Sequence, residues 1–246
     1  MNSGASKKGR KVVAEIRWEV DTICMDYYMT LVDLKNPFQQ MINWLEMYMN
    51  HKYPMIDEKK FTSRFIRNRA VLGSGEFMLG IDVLVNSVKN ACERFQVQDF
   101  SQEFQVMVKT LFMEAHAFDD AVSVVEDLKK HYSVGLLSNA DNDIIRPSIE
   151  ENGFQFDFII TSEDAKANKP DKKIFDFALR KLNKESRQVI MVGDSQTEDV
   201  WGAERCNIPT AWINRNKERL KEGIMKPLLI VDDLTQVQYF LKKIRN

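Results

Sequence analysis

Short apolar runs rich in β-branched residues recur along the chain: VDTICM (20–25), YSVGLL (132–137), FDFIIT (156–161), QVIMVG (188–193), PTAWIN (209–214) and PLLIVD (227–232). Each is too short for a helix, and their composition predicts buried strands. Between them the apolar positions shift to helical spacing: Ala121, Val124, Val125 and Leu128, then Ile174, Phe175, Ala178, Leu179 and Leu182, and finally Val237, Phe240 and Leu241. Strand alternating with helix predicts an α/β fold, a doubly wound and mostly parallel sheet.

One long interruption breaks that alternation. From 36 to 116 the pattern stays helical, with Phe38, Met41, Ile42 and Leu45, then Phe61, Phe65 and Ile66, then Ile81, Leu84, Val85 and Val88. The expected organisation is therefore an α/β core over 13–35 and 117–246, an all-helical insertion over 36–116, and a flexible, basic N-terminal tail over 1–12. Gly73, Gly75 and Gly80 follow no strand, so they predict a loop between helices and not a dinucleotide fingerprint.

Composition narrows the function classes. The 246 residues are 44% apolar and carry a formal net charge of -1, which offers no general attraction to nucleic acid or to a membrane surface. No apolar run reaches the roughly 18 residues that a membrane helix needs, and the first twenty residues lack the apolar centre of a secretory signal. Cys24, Cys92 and Cys206 leave an odd count without C-x-x-C spacing, which fits a reducing compartment, and the expected location is cytoplasmic. His51, His116 and His131 share no ligand spacing, so no zinc site is expected.

Ligands of open parallel sheets gather at the carboxyl ends of the strands. Asp26 follows the first run, Ser138 and Asn139 the second and Asp194 the fourth, while Lys169 lies in the loop after the third. Any one of these fits a turn or a helix cap. Together, MDYYMTL, LLSNA, NKPDKKIFDFAL and VGDSQTEDVWGA resemble, in order and spacing, the four motifs of the haloacid dehalogenase superfamily with a helical cap inserted after the first. The resemblance covers residues 20 to 232.

That resemblance implies a role for each residue. Asp26 would be the nucleophile that forms a covalent aspartyl intermediate, with Thr30 in the same motif. Ser138 and Asn139 would bind the group being transferred, and Lys169 would offset charge on it and on Asp26. Mg²⁺ would be held by Asp26, the main-chain carbonyl of Tyr28 and Asp194, with Asp199 supporting the site. The substrate would be a small molecule enclosed by the cap, where Arg64 is the candidate substrate-binding cation among Arg64, Arg67 and Arg69.

Tyr28 departs from the phosphatase pattern D-x-D-x-T, whose second aspartate protonates the leaving alcohol. A phenol with a pKa near ~10 is a poor substitute, and losing a positioned acid costs about 10² to 10⁴ in rate. D-x-Y-x-T is the pattern of the haloacid dehalogenases themselves, which act without metal. Those enzymes carry serine and asparagine where this chain has Asp194 and Gln196, and tyrosine where it has Phe175. Three readings follow: a Mg²⁺-dependent hydrolase of small phosphorylated metabolites with a good leaving group, a 2-haloacid dehalogenase, or an impaired fold retained as a binding or regulatory module. The acidic fourth motif favours the first.

Overall fold

The computed structural model describes residues 19–245, so the tail expected over 1–12 lies outside the described residues. Strand β1 (Thr22–Met25) carries the first apolar run and is followed by a two-residue strand, β2 (Val32–Asp33). Four helices come next: α1 (Pro37–Lys52), α2 (Glu58–Gly73), α3 (Gly80–Phe95) and α4 (Ser101–Met113). The chain returns through β3 (His116–Ala117), which pairs antiparallel with β2. Strand and helix then alternate through α5 (Ala121–Leu128), β4 (Ser133–Ser138), α6 (Asn142–Glu151), β5 (Phe158–Thr161), α7 (Ser162–Ala165), α8 (Lys172–Leu182) and β6 (Val189–Gly193). The last elements are α9 (Gly202–Glu204), β7 (Thr210–Ile213), β8 (Leu229–Val231) and α10 (Leu234–Arg245).

All six apolar runs contribute a strand to one parallel sheet, in the order β5-β4-β1-β6-β7-β8. The middle position of β1 is fixed on both sides, with Thr22–Met25 in register with Ser133–Leu136 and with Val189–Val192. Successive side chains of a strand point to opposite faces, and both faces are covered here. Ile23 and Met25 join Val134, Leu136, Ile190 and Val192 in a cluster that takes in Val124 and Leu128 of α5 and Val237 and Leu241 of α10. Cys24 points the other way, toward Met191 and the apolar stripe of α8, Ile174, Phe175 and Ala178. This is the doubly wound arrangement.

Helices α1 to α4 carry a separate apolar cluster centred on Leu45, Met49, Phe61, Phe65, Phe100 and Phe104. Gly73 ends α2 and Gly80 begins α3, so the glycine-rich stretch is the connection between two helices. Ile144, from the first turn of α6, belongs to the helical cluster and so plugs the four helices onto the sheet domain. A second tie is the ion pair of Lys109 on α4 with Asp143 on α6, at 2.7 Å.

Candidate active site

Asp26 stands one residue beyond β1, and its amide still donates to the carbonyl of Val192 at 2.9 Å, so the sheet ladder itself sets its position. Ser138 closes β4 and Gly193 closes β6, which brings the first, second and fourth motifs to the carboxyl ends of three adjacent strands. Lys169, from the loop between α7 and α8, is 3% exposed and reaches the same point. Its Nζ lies 2.7 Å from Asp26 Oδ1 and 2.6 Å from Asp199 Oδ1. Ser138 Oγ also donates to Asp26 Oδ1, at 2.9 Å. That oxygen is pinned twice, while Oδ2 receives no hydrogen bond from the described residues. Burial opposes the charge on Lys169, but Asp199 and Asp26 outweigh it and hold the ammonium above its usual range.

The fourth motif is held by contacts on every side. Asp199 uses both oxygens within the protein, Oδ1 on Lys169 and Oδ2 on the amide of Ser195 at 2.9 Å. Its carboxylate occupies the place where a Cβ on residue 193 would sit, which is why a glycine precedes Asp194. Thr30 Oγ1 donates to Asp194 Oδ1 and accepts from the Asp194 amide, both at 3.0 Å. Trp212, 2% exposed on β7, donates from Nε1 to the Asp194 carbonyl at 2.8 Å. The sequence reading gave Trp212 no role; an indole needs a buried acceptor, but only the β6–β7 register shows which one.

Asp26, Asp194 and Asp199 each place a carboxylate oxygen within 4.8 Å of the others. Burial, and secondarily the charge of Asp26, raises the Asp194 carboxyl to about 7. Among the described residues, Lys169 is the one ammonium this trio contacts, and it is taken up by Asp26 and Asp199. An oxygen-only set with excess negative charge and a side chain without its own counter-ion suits a hard divalent cation. Asp26 and Asp194 are the side chains that fit; Asp199, with both oxygens engaged, supports Lys169.

A cleft of about 500 Å³ opens between the four helices and the strand ends. Tyr28 lines it, with its ring edge-on to Phe112 of α4 at 5.0 Å and its buried hydroxyl without a partner among the described residues. Burial, with Tyr27, Asp141 and Asp26 adding to it, raises the phenol above its ordinary range, so it stays protonated. Asn139 also reaches the cleft, but its amide is spent: Oδ1 accepts from the Lys169 amide at 2.7 Å, and Nδ2 donates to the Lys169 carbonyl and to Glu198. It orients the loop that carries Lys169.

The arginine that lines the cleft is Arg69, over the Phe38 ring at 5.0 Å, and not the expected Arg64. Five helical positions separate the two and turn them to different sides of α2. Gln196, at the dehalogenase asparagine position, is 3% exposed and ties down the 218–221 loop through Glu218, the Arg219 carbonyl and the Lys221 amide. Glu198 and Asp141 were not foreseen either. Asp141 stands at the start of α6 but bonds the first amides of α3, Gly80 at 2.8 Å and Ile81 at 2.7 Å. Helix α3 begins after Leu79, which cannot cap it, so the core supplies the cap.

Comparison with known proteins bears on the family and the fold. The haloacid dehalogenase-like hydrolase model matches residues 80–213, a span that contains Ser138, Lys169, Asp194 and Asp199. Pyrimidine 5'-nucleotidase YjjG of Escherichia coli (strain K12) is 31% identical over 126 residues, 50% of this chain and 56% of that protein. (S)-2-haloacid dehalogenase 4A of Burkholderia cepacia is 30% identical over 107 residues, 42% of this chain and 46% of that protein. The chain thus spans about half the length of these curated relatives. Among solved structures, the L-2-haloacid dehalogenase RSc1362 aligns with a TM-score of 0.69 at 18% identity, covering 91% of this chain and 99% of that one. The HAD phosphatase from Thermococcus onnurineus aligns with a TM-score of 0.67 at 20% identity, covering 90% and 98%. At such identities the likeness is one of fold. On the family match over more than half of its length, this chain belongs to the haloacid dehalogenase-like hydrolases.

Proposed function

We propose that the chain is a Mg²⁺-dependent phosphohydrolase of small metabolites whose leaving group needs no proton, with residues 36–116 acting as a cap over the cleft. The observation that carries this reading is Asp194, a carboxylate set against Asp26 with no ion-paired cation of its own among the described residues. Two such groups are costly to keep ionised side by side unless a metal joins them. Asp26 and Asp194 would hold it, with the Tyr28 main-chain carbonyl as the third expected ligand. A bound Mg²⁺ would offset their charge and that of a phosphoryl group.

The protein groups supply the rest. One Asp26 oxygen attacks phosphorus, the bond to the leaving oxygen breaks with its electron pair, and an aspartyl phosphate forms. Water then attacks that phosphorus, which restores the Asp26 carboxylate and releases inorganic phosphate and a proton. Lys169 holds Asp26 in line and offsets charge, Ser138 orients it, and Thr30 and Asp199 fix Asp194 and Lys169. Tyr28 gives no acid comparable to a carboxyl, hence the restriction on the leaving group.

A panel of phosphoesters and 2-haloacids, run with Mg²⁺ and with EDTA, tests this reading. Phosphate release that EDTA abolishes and Asp26→Asn eliminates is expected. Tyr28→Asp should raise hydrolysis of an alkyl phosphate, by up to about 10²-fold. Halide release indifferent to EDTA would instead establish the dehalogenase reading, which Tyr28 favours. Should Asp26→Asn leave every activity and cellular phenotype intact, the chain is a binding module.

A further inference from the structure

Much of the side-chain hydrogen-bonding capacity in the cleft is committed to the protein itself. Asp141 gives both oxygens to the amides of α3. Asn139 gives its amide to Lys169 and Glu198, Ser162 exchanges bonds with the main chain of Ala140, and Ser74 donates to the Val71 carbonyl. Among the described lining residues this leaves Arg69, the exposed Asn168 and one oxygen of Glu198 for a ligand. The remaining walls are apolar. Met41, Met78, Ile81, Leu84, Val108 and Phe112 form the roof, and Tyr28 closes the inner end beside the Asp26 loop.

A polyol phosphate enclosed here would lose water from several hydroxyls and regain few bonds, at about 1–3 kcal/mol for each group left unpaired. An aromatic body loses nothing of that kind, and rings and thioethers are favourable neighbours for it. The volume of about 500 Å³ admits a small metabolite and no macromolecule. A second argument, independent of the walls, comes from residue 28. Without a carboxylic acid there, the oxygen that leaves phosphorus must depart as a stabilised anion, and a phenolate meets that need.

We infer that the substrate is an aryl phosphomonoester with a largely apolar body, cleaved to inorganic phosphate and a phenol. This rests on the phosphoryl reading above and narrows it. In the reaction, the phosphorus–oxygen bond breaks and its electron pair leaves on the aryl oxygen, which takes a proton from water.

The test separates body from leaving group. In the full-length Asp26→Asn protein with Mg²⁺, where chemistry is blocked, calorimetry should give 1-naphthyl phosphate and benzyl phosphate dissociation constants at least tenfold below that of glucose 6-phosphate. In the wild type, 1-naphthyl phosphate should be turned over and benzyl phosphate, equally apolar but an alkyl ester, much more slowly; wild-type KM values provide the same ranking should the variant not fold. Glucose 6-phosphate bound or hydrolysed as well as the naphthyl ester would overturn the inference and leave the phosphoryl reading standing. If no phosphoester is either bound or hydrolysed, both fall together.

Discussion

Lys169 is the residue on which the site's electrostatics turn. Its ammonium is buried between Asp26 and Asp199, and removing one member of such a group strands the others as uncompensated charge. Lys169→Met should therefore lower stability in metal-free buffer by about 3–5 kcal/mol, read from the urea midpoint, in addition to any loss of turnover. A change under ~1 kcal/mol would mean the carboxylates take up protons at little cost. Residues of this kind were legible in the sequence because chemistry fixes their type and the strand ends fix their place. Trp212, Arg69 and Asp141 were not, since their partners lie 18 or more positions away and follow from register and helix packing. Arg64 and Arg69 illustrate the limit: the sequence offers Arg64, Arg67 and Arg69 close together, and only the docked helix says which lines the cleft.

At the scale of elements, the four inner strands β4, β1, β6 and β7 stood out because both of their faces are buried, while the edge strand β8 leaves Ile230 exposed. The β2–β3 ribbon escaped notice, as two residues per strand carry no periodicity. Helix α10 makes a separate prediction. Its N-terminal turn is capped by Asp233, and Lys242 in its last turn pairs with Asp127 of α5 at 2.7 Å. Hydrogen bonds from Lys242 and Lys130 hold the Asp127 carboxyl below its usual range, and the Thr235 hydroxyl does the same for Asp233. Folding thus favours the ionised forms. Their contribution is present in full above the unfolded carboxyl pKa of ~3.9 and fades as pH falls below it. Between pH 5 and pH 3 the wild type should lose more stability than Asp127→Asn, measured by chemical denaturation; equal losses would assign acid sensitivity to other groups.

Across the whole molecule, a short stretch at the start of α6, residues 141–144, grips the helical segment, beside the Tyr28–Phe112 contact. Asp141 caps α3, Asp143 pairs with Lys109, and Ile144 enters the helical cluster. Asp141 stands three residues after Ser138, so the grip on the proposed cap is continuous with the second motif. Asp141→Ala should cost about 0.5–2 kcal/mol, as a lost helix cap does, and should speed amide exchange at Gly80 and Ile81 while leaving the strands unchanged. Unaltered exchange at those two amides would show that the bonds do not hold α3 in solution.

The central position of β1 has a further consequence for how this molecule can fail. A strand laddered on both sides cannot fray by itself, so Asp26 cannot drift from its neighbours unless the whole sheet comes apart. Displacing Asp26 therefore means unmaking the sheet, whereas the roof of the cleft can be rebuilt residue by residue while the strands stay where they are.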